Sequence, residues 1–306
     1  MESSPAPDHG GYAYPLYRRN DRALDAEYTG PLYVWDIDNT YLISEYQSIR
    51  DLIRIRFESA LDKTPVPGAV QLLHAIRRGG ADDTDGLQPP IYFVSASPEG
   101  MRPVLTKRML LDGVAHDGMT FRNLHKLRYV RDIFGYKIVA LLLYRLENPK
   151  GAQEVLFGDD REHDLLVYTL YRQICAGELR GDALRECLSR HGVRRSASGY
   201  AAAIAEPLPK VDPVEWVFIR RIAGRPKVGE PAPADDCVVY VDDYAQAAAL
   251  LLAQERIMVD GFRAVLGAVR DAGQALDVAA VIGQRAERFR PEALAVLRSE
   301  LTEEER

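Results

Sequence analysis

Residues 33–41, Tyr-Val-Trp-Asp-Ile-Asp-Asn-Thr-Tyr, decide how the chain is read. An apolar run from Leu32 to Trp35 ends abruptly in Asp36 and Asp38, separated by Ile37. That is the pattern of a buried parallel strand whose carboxyl end opens into a site. In extended backbone the side chains at i and i+2 project from one face, so Asp36 and Asp38 point together while Ile37 turns back to the core. Two adjacent carboxylates repel unless a cation or a shared proton relieves them. The strand end therefore points to a metal.

Working outward, Ile49, Leu52, Ile53, Phe57, Ala60 and Leu61 recur at helical spacing within 44–61. Arg50, Arg54 and Arg56 on this helix form either a solvated face or a basic surface for an anionic substrate or membrane. A turn at 63–68, a second helix to about Arg78 and a surface loop over 79–90 lead to a second buried run, Ile91 to Val94. It ends in Ser95-Ala96-Ser97-Pro98, where Ser97 as N-cap and Pro98 as first residue predict a helix to about Leu111. The amino end of that helix would offer free backbone N–H groups to an anion.

A short strand at 118–121, a helix over 132–146 stopped by Asn148-Pro149, and a strand at 154–157 follow. This strand also ends in polar residues, Gly158-Asp159-Asp160-Arg161-Glu162-His163-Asp164. Residues 165–192 read as helical and 194–213 as a weakly patterned connection, so 171–212 is expected to be a helical insertion, a surface addition or else a lid. Strands at 215–222 and 237–241 come next, the second closed by Asp242 and Asp243 as cap and turn before a helix over 245–256. Alternating strands and helices predict an α/β fold, a three-layer doubly wound parallel sheet with its site beyond the carboxyl ends of the strands. The expected domains are a disordered leader (1–30), a catalytic domain (31–258) and C-terminal helices (259–306).

The 306 residues carry a net charge of −6, which argues against a bulk electrostatic footprint for nucleic acid. No apolar run approaches the roughly 20 residues of a spanning helix, and the leader lacks the apolar core of a signal peptide. A cytoplasmic protein is expected. Cys175, Cys187 and Cys237 lack the spacing of a metal or redox motif and read as packing residues.

Asp36, Asp38, Ser95, a helical lysine, Asp159 and Asp164 together suit phosphoryl transfer through an aspartyl-phosphate. Anion must meet anion in such a reaction, and hard oxygen ligands without a His or Cys cluster favour Mg²⁺ as the cation between them. Asp36 is the expected nucleophile and a metal ligand. Asp38 is expected to protonate the leaving oxygen and then to deprotonate water, and it is also a candidate ligand. Asp159 and Asp164 complete the candidate metal shell, Ser95 and the lysine hold the phosphoryl oxygens, and Thr40 and Ser97 are candidate substrate-binding residues.

Asp36-Ile37-Asp38-Asn39-Thr40, Ser95, a helical lysine and Gly158-Asp159 with Asp164 resemble, in order, the four motifs of the haloacid dehalogenase superfamily. The acid at Asp38 resembles its phosphatase branch. Pro65-Val66-Pro67-Gly68, Tyr92-Phe93-Val94-Ser95-Ala96-Ser97-Pro98, Gly158-Asp159 with Glu162-His163-Asp164 and Tyr168, and the later segments Val217-Phe218-Ile219-Arg220 and Val239-Tyr240-Val241-Asp242-Asp243-Tyr244 are similar to the catalytic domain of the actin-patch type of phosphatidate phosphatases. The resemblance implies a minimal cap and Mg²⁺-dependent hydrolysis of phosphatidate, at a membrane surface, to diacylglycerol and phosphate. Asn39, Glu99 and Asp160 stand where the family usually has Asp, an aromatic and a small residue. The spacing that the resemblance requires favours Lys137 over Lys126 as the site lysine, and His163 as a hydrogen-bonding support. A soluble phosphomonoester, a sugar phosphate or nucleotide, would use the same chemistry. A non-catalytic phosphate-binding or scaffold protein on the same fold is the alternative from another class.

Overall fold

The computed structural model describes residues 14, 16–43, 63–80, 88–123, 132–161, 163–222, 236–274, 276–285 and 291–301. The expected helix at 44–61 with its three arginines, the tip of the 79–90 loop, Lys126 and Glu162 lie outside the described residues.

Seven strands form one sheet: β1 (Leu16–Asn20), β2 (Pro31–Asp36), β3 (Ile91–Pro98), β4 (Gly118–Arg122), β5 (Gln153–Asp159), β6 (Val214–Arg220) and β7 (Val238–Val241). Their spatial order is β1-β4-β3-β2-β5-β6-β7, all parallel except β1, which runs antiparallel to β4. From β2 the chain steps outward through β3 to β4, then returns to the other side of β2 as β5. That reversal makes the carboxyl end of β2 the topological switch point, where such sheets form their crevice. All six residues of β2 are buried, because helices cover both faces.

One face carries α1 (Ala69–Arg78), α2 (Arg102–Leu111), α7 (Tyr244–Ala253), α8 (Val259–Asp271), α9 (Val278–Arg285) and α10 (Pro291–Ser299); the other carries α3 (Ile133–Glu147), α4 (Asp164–Ala176), α5 (Gly181–Arg190) and α6 (Arg195–Ala205). Leu250, Phe262, Val265, Val278 and Leu297 share one buried cluster with Trp35 and Phe93, so the C-terminal helices belong to the core of their layer. Gly68, just before α1, takes a left-handed φ of 82°, where a Cβ would crowd Tyr244 and Val269.

Two expectations are corrected and two are refined. Residues 16–20 are a strand and not part of a disordered leader: Leu16 and Tyr17 are buried, and Arg18 ion-pairs with Glu147 at 2.6 Å and lies over the Tyr144 ring. A pairing partner on a distant helix makes this arginine an interior residue, which a local reading of charge excludes. The second buried strand runs on to Pro98, a 3₁₀ turn covers 99–101 and α2 starts only at Arg102, so Ser97 is not a helix cap. Residues 165–192 form two helices broken at Gly177, whose φ is 87°. Within 194–213, read as a weakly patterned connection, lies a helix, α6, in keeping with the helical insertion expected over 171–212. Its alanines give no amphipathic contrast, yet Ala197, Ala201 and Ala205 lie buried against the α3 side of the sheet.

Candidate active site

The last residue of β2, the last of β5 and the first of α4 are Asp36, Asp159 and Asp164, which are 1%, 0% and 0% exposed. Each offers a carboxylate oxygen within 4.8 Å of the others. Lys137, from the second turn of α3, enters the same space: its Nζ lies 3.0 Å from Asp36 Oδ1 and pairs more closely with Asp164 Oδ1. The Asp159 backbone N–H donates to Asp164 Oδ2 at 3.2 Å, and the Arg161 N–H to Asp159 Oδ1 at 2.5 Å. Gly158 is required by closeness, since a Cβ there would stand 2.6 Å from Asp164 Oδ2.

Among the described residues, three carboxylates and one ammonium share this buried space. Carboxylates gathered in a buried space repel one another unless a cation relieves them, so the cluster fits a divalent cation. Its donors are all carboxylate oxygens, the hard set that suits Mg²⁺.

Beyond Asp36 the chain makes a tight turn in which Tyr41 and Leu42 N–H both donate to Ile37 O, at 3.0 and 2.9 Å. Asn39 sits at φ 58°, a left-handed conformation that Asn and Asp tolerate better than other side chains, so Asn in place of the family's Asp keeps the turn. Ile37 is buried, and Asp38 is half-buried on the side of Ser97, whose Oγ lies 3.0 Å from Asp38 Oδ2. Ser97 N–H in turn donates to Ser95 Oγ at 3.0 Å. Ser95 and Thr40 are both buried, and Thr40 Oγ1 has no hydrogen-bond partner.

Two residues that sequence reasoning assigned no role hold this turn from far along the chain. Tyr244 OH donates to Thr40 O at 2.6 Å, and Arg220 Nη1 to Asn39 O at 2.9 Å. Burial pushes the Tyr244 hydroxyl well above the usual tyrosine range, so it stays a donor at neutral pH. Arg220 ends β6 as Asp36 ends β2; Arg220 and Tyr244 close the two later segments quoted in the family resemblance, which was the available signal. Tyr168, quoted in the family resemblance, donates to Phe157 O at 2.9 Å and ties α4 to β5 behind the acids.

Of the expected site residues, Asp36, Asp159, Asp164 and Lys137 are thus brought into one cluster. Asp38, Ser95 and Ser97 form an adjoining hydrogen-bonded row, and the Asp38 carboxylate is not part of the acid cluster. Ser97 is engaged by Asp38. His163 precedes α4 with an exposed side chain that caps nothing, so the supporting role expected of it is not seen. Asp243 caps α7 through the N–H groups of Ala245 and Gln246.

The family model for the catalytic domain of phosphatidate phosphatase APP1 matches residues 32–184, half of the chain. A crystal structure described as a "putative HAD-like phosphatase" from Mesorhizobium loti aligns with 88% of this chain and 99% of its own, at 9% identity and a TM-score of 0.41. No curated protein matches the sequence. The matched segment begins at the strand that carries Asp36 and includes Ser95, Lys137, Asp159 and Asp164. The chain belongs to the family of the phosphatidate phosphatase APP1 catalytic domain, and it is a phosphatase.

Proposed function

We propose that the protein hydrolyses phosphatidate, with Mg²⁺, through an aspartyl-phosphate on Asp36. The observation that carries this reading is the buried cluster of Asp36, Asp159 and Asp164 around Lys137 at the switch point of the sheet. Its gathered carboxylates suit a divalent cation, and membership of the phosphatidate phosphatase family supports the lipid substrate.

Asp36, Asp159 and Asp164 would hold the cation. When bound, it would neutralise these carboxylates and the phosphoryl oxygens, so that one anion can approach the other. Lys137 orients Asp36 through the 3.0 Å contact. Asp36 then attacks phosphorus, and the alcohol leaves with a proton from Asp38. Asp38 next takes a proton from the water that cleaves the aspartyl-phosphate, which restores both acids. Ser97 holds the Asp38 carboxyl between these steps. Ser95 and Thr40, both buried beside Asp36, supply hydroxyls for the phosphoryl oxygens.

No helix among the described residues is long and apolar enough to cross a membrane, so the protein would meet its lipid from the water side of the bilayer. The test is phosphate release with Mg²⁺, and with EDTA as control, from phosphatidate micelles and from soluble sugar phosphates and nucleotides. Release from phosphatidate in preference to the soluble esters is expected. Release from soluble esters alone would discard the lipid, and phosphate binding without turnover on any ester would discard catalysis.

A further inference from the structure

The geometry points to Arg220 as a receptor for the substrate's phosphoryl oxyanion, a role that rests on the phosphatase reading of the neighbouring acids. Arg220 lies outside the family-matched residues 32–184. It ends β6, two strands from β2, so its Cα is roughly 10 Å from that strand at ordinary sheet spacing. Its side chain spans this gap across the end of β5, and Nη1 reaches the carbonyl of Asn39, the residue after Asp38, at 2.9 Å. The guanidinium therefore sits on the catalytic turn.

What it does not touch matters as much. Asp159 is its register partner on β5, yet the Asp159 carboxylate belongs to the acid cluster, and Arg220 forms no ion pair among the described residues. Nε is buried and has no acceptor. Neighbouring cations are engaged: Arg221 faces Asp242 at 3.7 Å, Arg122 donates to Ala96 O, and Lys137 is divided between Asp36 and Asp164. Leaving a buried donor unsatisfied costs about 1–3 kcal/mol, a cost that an arriving acceptor removes. The Nε–Nη2 edge of a guanidinium matches two oxygens of a phosphate group.

A phosphoryl dianion entering here meets an acid cluster whose only ammonium among the described residues is already paired. Arg220 supplies the missing positive charge and, through Nη1, couples it to the turn that carries Asp38. Arg220 as a whole is partly exposed, so the side chain is within reach of a ligand even though its Nε is buried.

The experiment measures binding of inorganic phosphate, in the presence of Mg²⁺, by titration calorimetry in the Asp36→Asn background, and KM and kcat on a soluble phosphomonoester in the parent background. Arg220→Ala is expected to weaken phosphate binding about 10-fold or more and to raise KM, the range of a charged hydrogen bond. Arg220→Lys recovers part of the loss and provides the reading should the alanine variant not fold. Tyr244→Phe, which loosens the same turn without removing a cation, leaves phosphate affinity unchanged. Parent-like phosphate affinity in Arg220→Ala, with only kcat reduced, would overturn the proposal and leave Arg220 as a brace; so would a parent that binds no phosphate. Loss of phosphate binding in Arg220→Ala, in a protein that hydrolyses no ester, would uphold the anion site and sink the phosphatase reading.

Discussion

Strand β5 has a buried acid near each end, and the two ends differ in a way that separates scaffold from chemistry. At its start Glu154 faces Arg145; at its finish Asp159 shares the space of Lys137. The same elements build both, since Lys137 and Arg145 lie eight residues apart on α3, and Asp164 and Tyr171 seven apart on α4. Helical periodicity puts each pair on one face. At the start, one carboxylate meets one guanidinium at 3.6 Å, Tyr171 OH donates to Glu154 at 2.7 Å, and Arg145 donates to the carbonyls of Pro149, Lys150 and Ala152. There one acid faces one base, and the donors are used. At the finish, three carboxylates and one lysine share the space among the described residues. Three acids beside one lysine suit a cation.

The largest way to break this contrast is Asp36→Asn, expected to lower phosphate release by at least about a thousand-fold with the circular dichroism spectrum unchanged; retained turnover would remove the nucleophile. Lys137→Met removes the ammonium that Asp36 and Asp164 share. A drop of about a hundred-fold in kcat is expected, together with a melting temperature that depends more steeply on Mg²⁺ than in the parent.

Glu154 sharpens the comparison from the other end. Burial holds its carboxyl up at about 7, above the ordinary 4.5, so the folded chain binds this proton more tightly than the unfolded one. Stability is therefore fullest below the ordinary carboxylate range and falls as pH rises through 7. Chemical denaturation between pH 5 and 8 should show the parent losing about 3 kcal/mol relative to Glu154→Gln, with turnover on soluble esters unaffected at the lower pH. Mg²⁺ at a hundred times its dissociation constant should stabilise the chain by about 2.7 kcal/mol. Asp159→Asn should abolish that gain and Glu154→Gln should keep it. Smallest is Tyr244→Phe, which takes one donor from Thr40 O and should cost a few-fold in kcat, as for a single neutral hydrogen bond.

The parallel sheet and most of the acid cluster are legible in the sequence because they rest on local pattern. Leu32 to Trp35 and Ile91 to Val94 are apolar runs closed by polar residues, and the position of Lys137 on its helix follows from family spacing. Features fixed by distant partners are not legible. Arg18 reads as solvent-facing until Glu147 and Tyr144 receive it, 129 and 126 positions later. Ser97 has the composition of a helix cap, but its hydroxyl is taken by Asp38 and the strand continues instead. Arg220 and Tyr244 act on carbonyls 181 and 204 residues away, contacts that no window of sequence contains.

The central claim is that the acid cluster exists to let Asp36 take a phosphoryl group, and trapping that group tests it most directly. The chain would be mixed with phosphatidate labelled in its phosphate, with Mg²⁺, and quenched in acid within the first turnover. Label that stays on the parent chain, is released by hydroxylamine as an acyl phosphate must be, and is absent from Asp36→Asn is the predicted result. Free labelled phosphate from the parent with no chain-bound label at any quench time, or equal labelling of Asp36→Asn, would contradict it.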